Sequence, residues 1–172
     1  MTDPTQKPVS AWASWPLDRE VVIARVVDAD CATAFRAWTD PAQIVQWFGP
    51  AGFQLKTHKI DIRAGGVWQF DMIAPDGTCY PNRMDFLAID APRSLEVNHG
   101  SGAVNDPDRF RMLVTFDAQD NGKTVVTLRQ LHPTRERRAI VIGFGAVQYG
   151  GQTLDKLANH VAGKSRAATT AI

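Results

Sequence analysis

The sequence predicts an α+β fold: an antiparallel sheet, covered on one face by a long C-terminal helix, with two short helices after its first strand. Three observations predict it. One strand pattern and two helix signals open the chain, strand patterns with no helical crossover fill its middle, and an apolar stripe of alternating four- and three-residue steps closes it.

The first segment, "EVVIARVV", is β-branched and apolar enough for a strand. Asp30 then stands where a helix N-cap is needed, and "DADCATAFRAWTD" puts Phe35 and Trp38 on one helical face. Pro41 at a first-turn position and the stop at Gly49 and Pro50 define a second short helix in "PAQIVQWFGP". Strand patterns follow at about 53–62, 67–74, 78–90, 94–99, 109–117 and 123–132, separated by "AGG", "PDG", "DAPR", "GSGAVNDPD" and "DNG". "PDG" and "DNG" between alternating runs are hairpin signals, and strands that follow one another directly need antiparallel meander connections. One face of such a sheet must be covered. The segment from about 134 to 162 supplies the cover, since Ile140, Phe144, Val147, Gly151, Leu154, Ala158 and Val161 recur as the stripe of a helix pressed along a sheet.

A chain of 172 residues fits a single domain, here residues 18–162, with polar tails at 1–17 and 163–172. Trp12 and Trp15 lie in the first tail; indoles are costly to leave in water, so they are expected to dock on the domain itself, with a homodimer interface as the alternative. Lys and Arg total 19 against 18 Asp and Glu, a net charge of +1, so no field of one sign draws in nucleic acid or an anionic membrane. Cys31 and Cys79 have no CxxC spacing and read as reduced thiols. No stretch approaches the ~20 apolar residues of a membrane span, and the proline-interrupted start has no apolar signal region, so a cytoplasmic protein is expected.

Gly143, Gly145, Gly150 and Gly151 lie inside the final stripe. A dinucleotide loop needs G-x-G-x-x-G between a strand and a helix; here the spacing is G-x-G-x-x-x-x-G-G with no Lys-Ser/Thr after it, so a phosphate loop is rejected. The glycines instead predict a helix thinned at its centre, with volume beneath it for a ligand, while Leu154, Leu157 and Val161 anchor its C-terminal half.

"AFRAWTDPAQIVQWFGPAGF", "DIRAGGVWQFDMIAPDG", "AIDAPRSLEV", "VTFDAQDNGKTVVTL" and "LDKLANHV" together resemble the heat-shock-protein ATPase activator-homologue group of the START/polyketide-cyclase superfamily, over about residues 20–162. The resemblance implies a helix-grip fold: a strongly curved antiparallel sheet around a long C-terminal helix, two short helices closing one end, and a mostly apolar cavity between helix and sheet. Relatives usually carry Gly-Trp near the first third of that helix, where this chain has Gly143-Phe144.

Alternation assigns Trp68, Phe70 and Met72 to one face, and likewise Leu95, Val97 and His99, and Phe110, Met112, Val114 and Phe116. The expected ligand wall on the sheet is Trp68, Phe70, Met72, Met84, Phe86, Val97, His99, Met112 and Val114, with Trp47 from the short helices. Phe144, Val147, Gln148 and Gly151 are expected to face it from the final helix, where Tyr149 also offers a polar atom. His99 is the candidate acid or base, although a histidine bonded to backbone or water at a strand mouth explains it as well. His58, His132 and His160 have no ligand spacing with it, so no metal is expected, and no cofactor. Asp71, Asp85, Arg111 and Arg129 alternate outward, and Asp61 and Arg63 fall at the strand end and turn of "DIRAGG".

Three readings follow. The first is a binding protein for a small hydrophobic or aromatic molecule, acting in transport, sequestration or sensing. The second is a cyclase- or dehydratase-like enzyme moving protons with His99, Tyr80 or Gln148. The third is a co-chaperone of a heat-shock ATPase; the resemblance implies that full activators carry a further N-terminal domain, whereas about 17 residues precede the first strand here.

Overall fold

A computed structural model describes residues 16–162 and 164, so the readings made for Trp12, Trp15 and the terminal tails lie almost wholly outside the described residues. After a 3-10 turn at Leu17–Arg19, alternation in Glu20–Val27 gives β1, which buries Val21, Ile23 and Val27 and turns Val22 and Val26 to solvent. Asp30 caps α1 (Cys31–Thr39) by accepting from Thr33 N at 2.7 Å. Asp40 does the same for Ala42 N at the start of α2 (Pro41–Trp47), with Pro41 in the first turn as the sequence predicts.

Six strands then follow in a meander: β2 (Gln54–Ile60), β3 (Val67–Ile73), β4 (Cys79–Asp90), β5 (Ser94–Gly100), β6 (Phe110–Ala118) and β7 (Thr124–Leu131). The sheet order is β1-β7-β6-β5-β4-β3-β2 and every pairing is antiparallel. Register shifts at Thr57/Lys59 and Phe86/Ala88 each insert a residue into one strand, the device that bends a sheet. The β2–β3 turn is tight enough that a Cβ on Gly66 would overlap the Asp61 carbonyl, and Arg63 Nε donates to Asp61 at 2.9 Å within it.

The predicted final helix is two helices. α3 spans Arg135–Gly143 and α4 spans Ala146–Val161, separated at Gly145, whose φ of +101° only glycine adopts without strain. The stripe therefore holds in the C-terminal half of α4, where Leu154, Leu157 and Val161 are fully buried, and fails before it: Val147, Ile140 and Phe144 are exposed, and Ile142 packs toward the core instead. α4 crosses β1 so closely that a Cβ on Gly150 would overlap Ile23 Cδ1, which gives that glycine its reason. Arg25 of β1 pairs with Asp155 at 2.7 Å, and Lys156 Nζ donates to the carbonyls of Phe48 and Gly49 at 3.4 and 3.1 Å, fixing α4 to the end of α2.

Candidate functional site

Inward residues of β3 to β7 form one concave surface beneath α4. Cross-strand pairs set Trp68 opposite Met84, Phe86 opposite Val97, Val97 opposite Met112, and Val114 opposite Leu128. Most of this surface is solid core. Trp47, Trp68, Phe70, Met84, Phe86, Val97, Met112 and Val114 are all buried in one cluster with Trp38, Leu154 and Leu157. Trp68 stacks on Phe70 at 4.0 Å, Phe48 meets both edge-on, and Trp68 Nε1 donates to Thr57 Oγ1 at 3.1 Å.

The packing loosens at the end of the sheet where β5 stops and β6 starts. Met72, His99 and Phe110 are only partly buried there, and three rings from separate elements meet at the edge. Phe53, from the loop before β2, lies 5.9 Å from Tyr149 of α4 and 6.4 Å from Tyr80 of β4. Val147 belongs to the same end. It stands seven residues before Leu154 and so on the same helical face, yet Val147 is 49% exposed and Leu154 0%.

His99 occupies this loosened end with a defined tautomer. Asn82 Nδ2 donates to the Tyr80 carbonyl at 2.7 Å, which leaves Oδ1 to face His99 Nε2 at 2.9 Å. A carbonyl oxygen only accepts, so Nε2 carries the proton and the neutral ring keeps Nδ1 as an acceptor. Burial among Phe70 and Phe110, whose centroids lie 6.2 and 5.0 Å away, pushes the pKa of His99 down to about 4. His132 continues the row 5.0 Å beyond Phe110; burial and the charges of Arg137 and Arg138 also lower it to about 4.

The convex face carries ion pairs instead. Asp71 meets His58 at 2.8 Å, Asp85 meets Arg83 at 2.8 Å, Arg111 meets Glu96, and Arg129 meets Glu20 at 2.5 Å. Asp71 and Asp85 thus form no acid pair, as alternation predicts. Among the described residues no group of three His, Cys, Asp or Glu could hold a metal.

The sequence model of the family described as "Activator of Hsp90 ATPase homolog 1-like protein" matches residues 28–162, most of the chain. The chain belongs to that family. Solved structures agree on the fold. A solution structure from Arthrobacter aurescens superposes with a TM-score of 0.77 at 21% identity, covering 85% of this chain and 87% of that one. Protein NE0264 from Nitrosomonas europaea gives 0.76 at 21% identity over 89% and 99%. Protein Ms6760 from Mycobacterium smegmatis gives 0.71 at 22% identity over 90% and 93%. Comparison with curated proteins finds no match.

Within this family member the predicted site residues divide by location. The sheet residues share one face with His99, while Phe144, Val147 and Gln148 are exposed, and Phe144 follows α3 on the far side of the break. A Cβ on Gly151 would meet only the Arg25 guanidinium, at an ordinary 3.9 Å, so that glycine turns toward β1. Sequence reasoning missed Asn82 and Phe53. Asn82 alternates with Met84 and Phe86, so its parity was an available signal; Phe53 opens the strand pattern expected at 53–62, but β2 starts only at Gln54, so its ring is placed by the loop and not by strand parity. No helix among the described residues is long and apolar enough to cross a membrane.

Proposed function

We propose that the chain binds a small hydrophobic or aromatic molecule at the loosened end of the concave face, between the first turns of α4 and the His99 end of β5, as a carrier, sequestering or sensing protein. The observation that carries this reading is the contrast along one helical face, Leu154 sealed and Val147 half open. Cover over the concave face thus falls off toward the α4 N-terminus. Met72 and Phe110 supply an apolar, adaptable floor, and Phe53, Tyr80 and Tyr149 a ring-lined edge. Nδ1 of His99 is the polar contact and selects a ligand that donates a hydrogen bond, such as a phenol or alcohol.

Binding is favoured over the cyclase reading by the state of His99. A ring protonated only near pH 4 is a weak base at neutral pH, far from the match that general base catalysis rewards. Nile red, a neutral apolar fluorophore, tests the proposal. Saturable emission enhancement is expected, with Val147→Trp weakening it while the thermal transition persists, and with phenol, which can donate to His99 Nδ1, displacing the dye less well from His99→Phe. Unchanged affinity in Val147→Trp and equal displacement in His99→Phe would move the ligand elsewhere. Native mass spectrometry of protein from its own host then identifies the retained molecule, and a heat-shock ATPase stimulation assay tests the co-chaperone alternative.

A further inference from the structure

A second concavity, of about 430 Å³, lies past the strand ends on the other side of His132, outside the proposed apolar site. Three guanidiniums line it, from Arg19, Arg109 and Arg111, with one carboxylate, Asp106; Glu96 pairs with Arg111, which leaves the cluster net positive by one charge. That carboxylate is already committed to its own loop: it accepts from Ser101 N at 2.7 Å and Asp108 N at 2.8 Å, contacts that hold its pKa below the usual carboxylate value. The arginines are held in place by protein acceptors. Arg19 Nη1 donates to the Pro133 carbonyl at 2.5 Å, Arg109 Nη1 to that of Val104 at 3.3 Å, and Arg111 is pinned by Glu96. Arg137 at the flank is paired with Asp108 at 3.5 Å and adds no net charge.

His132 stands in the same wall. It is 1% exposed, and neither ring nitrogen has a hydrogen-bond partner. Leaving a buried polar group unmatched costs about 1–3 kcal/mol, so a structural histidine would be a poor choice here. Apolar residues at this point of the fold would pack without that penalty. An imidazole among guanidiniums does have a use: a neutral ring offers one donor, and an oxyanion accepts it without needing the ring to be charged first.

We infer that this cavity is a binding site for a small organic oxyanion, its acidic group received by the Arg19, Arg109 and Arg111 cluster with His132, and its apolar body resting on Leu131, Pro107 and Pro133. The volume falls in the range of small-molecule sites, about 300–1,000 Å³. A carboxylate and a phosphate share this chemistry.

The test titrates the full chain with sodium benzoate and, separately, with inorganic phosphate at constant ionic strength, following the His132 ring resonances by NMR and the heat by calorimetry. Saturable binding of at least one anion is expected, weakened about tenfold in Arg109→Gln, the loss of roughly one charge-assisted hydrogen bond. Arg93→Gln, an exposed arginine paired with Asp90 away from the cavity, is expected to leave it unchanged. Saturation by benzoate alone assigns a carboxylate ligand and by phosphate alone a phosphoryl ligand; either supports the site. Absence of a saturable His132 shift with both anions overturns it, as does binding that Arg109→Gln does not weaken. Nile red carries no charge, so its binding and that of the anions can fail independently.

Discussion

The two ends of the space between α4 and the sheet are built from similar residues and behave differently. At the α1–α2 end, Leu154, Leu157 and Val161 meet Trp38, Trp47 and Phe48, whose rings stand edge to face within 4.9–5.7 Å of one another. At the opposite end Val147, Met72 and Phe110 are as apolar but only partly covered, and the polar His99–Asn82 pair lies among them. Composition does not separate the ends. What separates them is the number of elements that converge: two short helices close the first, while α3 turns away from the second at Gly145. Buried packing therefore concentrates at one end, and the other is the end where the proposed ligand would sit.

The strongest way to break this contrast is to truncate one apolar side chain at each end to alanine. Leu157→Ala is expected to cost about 2–5 kcal/mol in urea unfolding, whereas Val147→Ala should stay within about 0.5 kcal/mol. Comparable losses at both positions would refute a loosened end. Next in size is the response to acid. His99 and His132 have folded pKa values near 4, below the ordinary 6.5, so the unfolded chain binds protons that the folded chain refuses. Their contribution is complete above about pH 6.5 and falls away toward pH 4, on the order of 2–3 kcal/mol for the fully buried His132. A urea series across that window measures it, and His132→Phe should flatten the slope if it folds; His99→Phe gives the same test at the open end.

Smaller effects sharpen the comparison at the glycines. Gly150→Ala pushes Ile23 Cδ1 aside, and the rotamer strain of about 0.5–1.5 kcal/mol offsets the gain in helix propensity. With Ile23→Val the obstructing methyl is gone, so the same alanine should then stabilise, a non-additivity that a double-mutant cycle reads directly. Gly143→Ala meets nothing within 4 Å and should stabilise α3 by up to about 1 kcal/mol. A loss there would show that the end of α3 is under constraint.

Most of the scaffold was legible because it is governed by local rules. The pattern at 123–132 becomes a strand at Thr124–Leu131, and Asp30 and Pro41 begin the helices they signal, since capping and alternation need only neighbouring residues. The break in the last helix was not legible. Its stripe runs through Gly145 in helical step, and only the positive φ of that residue shifts the phase so that Ile142, rather than Ile140 or Phe144, turns inward. For the candidate site, parity brought His99 onto the concave face but not to Asn82, which lies on the next strand in a register set by distant pairing. His132 shows the same limit, because its lack of partners is a property of everything packed around it.

The strand order has a consequence for how the molecule is made. Every neighbouring pair in the sheet is consecutive in the chain except β1 and β7, the first strand and the last. On a ribosome β1, α1 and α2 emerge early, but β1 finds its ladder only after Thr124–Leu131 has left the exit tunnel, and Ile23 finds Gly150 later still. Strand β1 therefore waits for its partner until the last strand of the sheet is made, and closing that long loop is a late step in assembling the sheet.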